Sequence, residues 1–144
     1  MKRIVLAALS LCALAAHASS VAEVKIVKGS ATVDRQGQKL PVTVGMKLQQ
    51  ADVITTGKDG AVGITFTDNS LMSAGPGSVL ALDSYRFDTT THAGESQTSL
   101  RRGTVAVVSG KMVKQSPESM KIRTPSSIMG VRGTEFVVKV DEVR

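Results

Sequence analysis

Apolar and polar residues alternate with a period of two along most of this chain. In "AVGITFTDNS" Val62, Ile64 and Phe66 share one face, while Thr65 and Thr67 share the other. In "VKIVKGSATV" Val24 and Ile26 fall on one face, and Ala31 and Val33 follow in the opposite parity. That switch predicts a bulge at Gly29, because glycine inside a strand pattern relaxes the backbone at such a site. "DRQGQ" reads as a tight turn, after which Leu40, Val42 and Val44 alternate with polar neighbours. The following connection contains a short apolar step at Val53-Ile54.

Asp68-Asn69 predicts a hairpin turn, since both residues tolerate positive φ. Met72 and Ala74 precede "GPGS", Leu80 and Leu82 follow it, and Tyr85 and Phe87 continue on one face. "DTTTHAGESQT" is polar and rich in turn formers, which predicts an exposed loop. "LRRGTVAVVSG" reads as a short strand after a basic turn, and "KQSPES" as another loop. "MKIRT" alternates again, with Lys121 and Arg123 outward. No stretch carries a helical period of useful length. Short strands divided by turns predict an all-β single domain of solenoid-like or two-layered form.

The closing stretch "TPSSIMGVRGTEF" holds enough polar chemistry to raise the question of a catalytic or phosphate-binding loop. Pro125 keeps Thr124 extended. Ile128 and Val131 flank a bend at Gly130, and Gly133 permits a second close backbone approach. Phe136, Val138 and Val140 then alternate with Glu135, Val137 and Lys139 as a strand with one buried face. A phosphate loop needs GxxxxGK[ST] leading into a helix. Neither feature is present. Thr124, Pro125, Gly130, Gly133, Thr134 and Phe136 are therefore read as a structural motif, with the apolar positions filling the core.

Composition changes the picture mainly at the start of the chain. Residues 1–18 carry a basic head at Lys2 and Arg3, an apolar run from Ile4 to Ala16 and an Ala16-His17-Ala18 cleavage pattern. The apolar run falls short of the roughly 20 residues that a spanning helix needs. A signal peptide cleaved near Ala18 is expected, leaving residues 19–144 with no transmembrane segment. Cys12 follows Leu11 rather than a small residue, which argues against lipidation. Loss of Lys2 and Arg3 lowers the net charge from +6 to +4, and loss of Cys12 removes the only thiol. Disulfides and thiol catalysis are thereby excluded from the mature chain.

The remaining charge leaves few chemical options. Nucleic acid is a poor partner, since only Phe66, Tyr85, Phe87 and Phe136 remain for base stacking. His92 stands alone in a Thr-rich loop, and a metal site assembles several ligands. Asp52, Asp59 and Asp68 are too scattered for a calcium loop and suit turns and caps. No G-x-S-x-G elbow occurs, and Ser78 in "GPGS" lacks the strand-to-helix setting. The chain is not expected to be an enzyme, and no cofactor or metal is expected. Arg101, Arg102, Arg123 and Arg132 are the candidate interaction patch; their bland reading is a set of solvated turn and edge charges.

Four ordered blocks carry a resemblance. "VGMKLQQADVITTG", "VGITFTDNSLMSAGPGSVLAL", "LRRGTVAV" and "IRTPSSIMGVRGTEFVV" together resemble the FecR domain, from about Val21 to Val140. Asn69 stands where the family usually has glycine, a change that the turn tolerates. The resemblance implies an all-β periplasmic module. The best-known members of that family are anti-sigma regulators paired with TonB-dependent receptors. Their cytoplasmic segment, membrane helix and receptor-docking region lie outside the resemblance, so direct sigma-factor control is not carried over. The expectation is therefore a stand-alone exported binding or regulatory module, periplasmic or secreted, whose partners are envelope proteins. The alternative is a structural module that binds an anionic envelope polymer.

Overall fold

The computed structural model describes residues 19–141. The expected signal peptide, with its Ala18 cleavage site and Cys12, lies outside the described residues. The chain runs through β1 (Ser20–Lys28), β2 (Ala31–Arg35), β3 (Gln38–Pro41), β4 (Lys47–Gln49), β5 (Val53–Thr56) and β6 (Ala61–Phe66). It continues through β7 (Leu71–Ala74), β8 (Val79–Phe87), β9 (Gly94–Val108), α1 (Lys111–Gln115), β10 (Met120–Arg123), β11 (Ile128–Gly130) and β12 (Glu135–Val140). All-β is the observed class, and its form is two-layered.

The two layers are one sheet creased across its strands. One layer has the order β4-β1-β6-β7-β9-β12, using the second half of β9. The other has the order β3-β2-β5-β8-β9-β10-β11, using the first half. Thus β1 runs on into β2, β5 into β6 and β7 into β8, each through a bend, while β9 crosses without a break. The bends hydrogen-bond to one another in a row. Gly57 N–H donates to Ser30 O at 2.9 Å, Thr56 N–H to Ser78 O at 2.9 Å and Gly75 N–H to Thr104 O at 2.9 Å. Thr56 and Ser78 are buried at this crease with their hydroxyls satisfied: Thr56 Oγ1 accepts Ser78 N–H at 2.9 Å, and Ser78 Oγ accepts Thr104 N–H at 3.0 Å.

The alternation then fills one core between the layers. Val24, Leu48, Ile64, Phe66, Met72, Val105, Val107 and Val138 enter from one side, and Val33, Ile54, Leu80, Leu82, Leu100, Met120 and Ile122 from the other. Val62, Ile64 and Phe66 share the buried face that their spacing predicts. Phe66 stacks on Tyr85 across the layers, with ring centroids 5.2 Å apart. At the far edge the buried carboxylate of Asp52 takes two hydrogen bonds from Arg35, at 2.9 and 2.7 Å, which hold that guanidinium above its ordinary pKa range. On β1, Glu23 lies between Lys25 and Lys47; their hydrogen bonds lower its carboxyl from 4.5 to about 2.

Several local expectations change. The parity switch in β1 occurs at a bulge between Val24 and Ile26, so Ile26 turns 54% exposed and Val27 packs on the core instead. Gly29 bends the chain into β2, with φ of +60°. Val44 is exposed beyond the end of β3. The polar loop is shorter than its composition suggests, because β9 begins at Gly94 and buries Ser96 and Thr98 between β8 and β10. Part of the expected "KQSPES" loop belongs to α1, which packs Met112 and Val113 inward.

Candidate interaction edge

The candidate site is built from the end of the chain. Along β10 the alternation buries Met120 and Ile122 and leaves Lys121 and Arg123 outside. Thr124 N–H then donates to Ser127 O at 2.8 Å, and Thr124 Oγ1 accepts Ser127 N–H at 3.1 Å. This closed turn returns the chain as β11, antiparallel to β10 with Arg123 opposite Ile128. Among the described residues β11 has no second strand neighbour, and its side chains stay exposed, Ile128 at 58%. Val131 is buried and donates its N–H to Met120 O at 2.9 Å. Residues 132–134 then cross to the other layer, where Ser109 N–H reaches Thr134 O at 2.8 Å, and β12 starts.

The closing stretch is thus structural at its anchors and open along its flank. Val131, Phe136, Val138 and Val140 face the core, as expected. Ile128 does not; it lies on an edge strand with no layer to cover it. Gly130 has open space where a Cβ would stand, so it makes no close chain approach. Gly133 is needed for its φ of +98° rather than for room. A cleft of about 470 Å³ lies between the two edges, with Thr124, Pro125 and Met129 on one side and Val137, Val138 and Lys139 on the other. Val137 is 63% exposed on the outer face of β12.

The four arginines separate. Val79 pairs with Arg102 and Leu80 with Leu100, so Arg101 is the extra residue of a bulge just before the crease. Arg101 and Arg123 come together on a second cleft of about 440 Å³, which also takes in Asp83, Ser99, Thr124 and Pro125. Its floor is fixed by a hydrogen bond from Ser99 Oγ to the Asp83 carboxylate. Arg102 is exposed on the same bulge. Arg132 lies elsewhere, beside a cleft of about 690 Å³ shared with α1, its guanidinium 3.7 Å from the Glu118 carboxylate. The Thr124-Pro125 turn lines both of the first two clefts, which makes a groove of mixed apolar and polar lining continuous with a basic one.

The carboxylates singled out from sequence serve turns and caps. Asp59 accepts from Ser30 Oγ at 3.2 Å, and Asp52 accepts the Gln49 N–H at 2.8 Å. Asp68 accepts the Ser70 N–H at 3.0 Å and the Met112 N–H of α1 at 3.3 Å. His92 sits in the 88–93 turn and stacks on Phe87. In that turn the Asp88 carboxylate accepts N–H bonds from Thr91 and Thr90, which lower its pKa. Sequence reasoning gave no site role to Met129 or Val137. The alternation already sets Val137 on the outer face of β12, whereas the apolar character of Met129 reads equally as core, and it is exposed on the edge strand β11.

The family model described as FecR protein matches residues 52–144. The chain belongs to the FecR family. The match spans β5 to β12 and so includes the crease except for the bend from β1 to β2, the three clefts and all four arginines. β1 to β4 lie before the matched residues, yet in this FecR protein β1 pairs with β6 and β2 with β5, completing both layers. No curated protein matches the chain, and no solved structure does. Among the described residues no helix is long and apolar enough to cross a membrane.

Proposed function

We propose that this FecR-family protein is an exported, non-enzymatic regulatory module, periplasmic or secreted, that works by binding another envelope protein. Family membership supports the regulatory role, and the sequence pattern of residues 1–18 supports export. The observation that carries the interaction is the continuous surface around Thr124-Pro125, where exposed apolar residues adjoin the Arg101–Arg123 cleft. Such a surface fits a partner with an apolar segment and an acidic flank, because basic groups at a rim steer an acidic partner and apolar burial holds it.

The test is site-specific photocrosslinking in the source cells. A photoreactive residue at Ser126 is expected to give a discrete adduct with one envelope protein, and the same residue at Lys39 on the opposite edge none. Combining it with Arg101→Glu and Arg123→Glu should remove the adduct. Equal labelling from both positions, or no protein adduct, overturns the reading. The paired arginines also suit an anionic envelope polymer, and that second reading predicts retention on envelope fractions that high salt and the same two substitutions abolish.

A further inference from the structure

We infer that two copies of the chain associate through β12, edge to edge and antiparallel, with Val137 of one copy opposite Val137 of the other. This association does not rest on the envelope-partner reading above, although it covers Val137 and Lys139, which wall the cleft described there. Each of the six residues of β12 pairs with β9 on one side, from Glu135 opposite Val108 to Val140 opposite Gly103. On its other side β12 has no strand partner among the described residues. An edge strand presents a row of N–H and C=O groups that can template another strand. Proteins blunt such edges with proline, bulges or isolated charge. β12 has no proline, and its ladder with β9 runs without a register shift.

The choice of occupant comes from the solvent face of the strand. It reads Glu135, Val137, Lys139: acid, apolar, base, evenly spaced about an exposed valine. That pattern is its own complement when reversed. With Val137 on the two-fold axis, Glu135 of each copy stands opposite Lys139 of the other, at the side-chain spacing where cross-strand pairs interact. Other in-phase registers lose this match. Sliding by one pleat in one direction sets Glu135 against Val137; in the other it sets Glu135 against Asp141. Sliding further sets Glu135 against Glu135 or Lys139 against Lys139. Only the Val137-centred register satisfies both charges, and such a contact is isologous and closes at two copies.

The inner face agrees. The same register sets Phe136 opposite Val138, so the half-buried Phe136 gains an apolar neighbour beyond the edge. The cost in existing contacts is small. Lys139 now lies 3.2 Å from Asp141, with both side chains mostly exposed, and such pairs contribute little. A lone lysine on an edge would discourage pairing; here Glu135 occupies the position that neutralises it.

Sedimentation of the protein, purified in the form that the cells accumulate, tests this with three variants. The wild type is expected to pass from monomer to dimer as concentration rises. Glu135→Lys and Lys139→Glu alone should each weaken the dimer by about tenfold or more, because two attractive pairs become repulsive. E135K/K139E should restore it. Mixing the two single variants should form a mixed dimer tighter than either alone, since a lysine then faces a glutamate in both cross-strand pairs. A wild type that stays monomeric overturns the proposal, as does a dimer indifferent to these charges. An extended peptide that binds the edge of a chain that remains monomeric also overturns it. All the substitutions are at exposed positions, so loss of folding does not imitate the expected pattern.

Discussion

Tyr85 links the two layers through its hydroxyl. Its oxygen accepts the Asp68 N–H at 3.1 Å and lies 2.9 Å from Thr67 Oγ1, while the ring stacks on Phe66. Burial disfavours the phenolate, and the nearby Asp68 carboxylate adds repulsion, so the phenol is pushed from 10.0 up to about 12. Because the folded pKa is raised, this residue's contribution is intact below pH 10.0 and is lost as pH rises toward about 12. Tyr85 is the only tyrosine and the chain has no tryptophan, so ultraviolet absorption reports it alone. The folded protein should titrate near the raised value and the urea-unfolded chain near the ordinary one. A folded midpoint no higher than the unfolded one would contradict the buried placement. Sequence made part of this site legible: Asp68-Asn69 does turn a hairpin, with Asn69 at φ +67°. The bond from Asp68 to Met112, far along the chain, has no local signal and so was not readable.

Among the elements, the glycines divide by what they do. Gly103 marks the crease in β9: its φ is +88°, and a Cβ there would stand 2.2 Å from Ser78 Oγ and 2.5 Å from Ser78 Cα. Gly133 has a φ of +98° with open space around it. Gly103→Ala should therefore cost about 3 kcal/mol or more, combining backbone strain with a clash that backbone must relieve. Gly133→Ala should cost about 1–2 kcal/mol, from backbone strain alone. Urea denaturation of both variants checks the order, and equal losses would show that the crease tolerates a side chain. The alternation made the strands themselves legible, but the glycine bends read only as ends of strands. That β7 continues into β8 through residues 75–78 depends on pairing with β9, which lies later in the chain. Polar Ser96 and Thr98 likewise read as loop, since propensity cannot register that two flanking strands enclose them.

For the molecule as a whole, the all-β class and the FecR resemblance were both legible, because period-two alternation and block order survive without knowledge of pairing. The open edge was not, since it depends on which strand lacks a neighbour. Nor was the separation of Arg132 from Arg101 and Arg123, which lie near one another only because β10 runs parallel to β9. The crease has a further consequence for how the protein comes apart. Since four lines of chain pass through both layers, neither layer has an opening reaction of its own. Amide hydrogens on either side of the fold line, at Leu100 and at Val107, should exchange with solvent at one common free energy, while those of β11 exchange sooner. Two separate exchange plateaus, one for each layer, would contradict a single cooperative unit. With one plateau, a protease that gains access to either layer beyond the edge strand β11 gains access to both, and resistance to proteolysis of that shared body is set by one global opening.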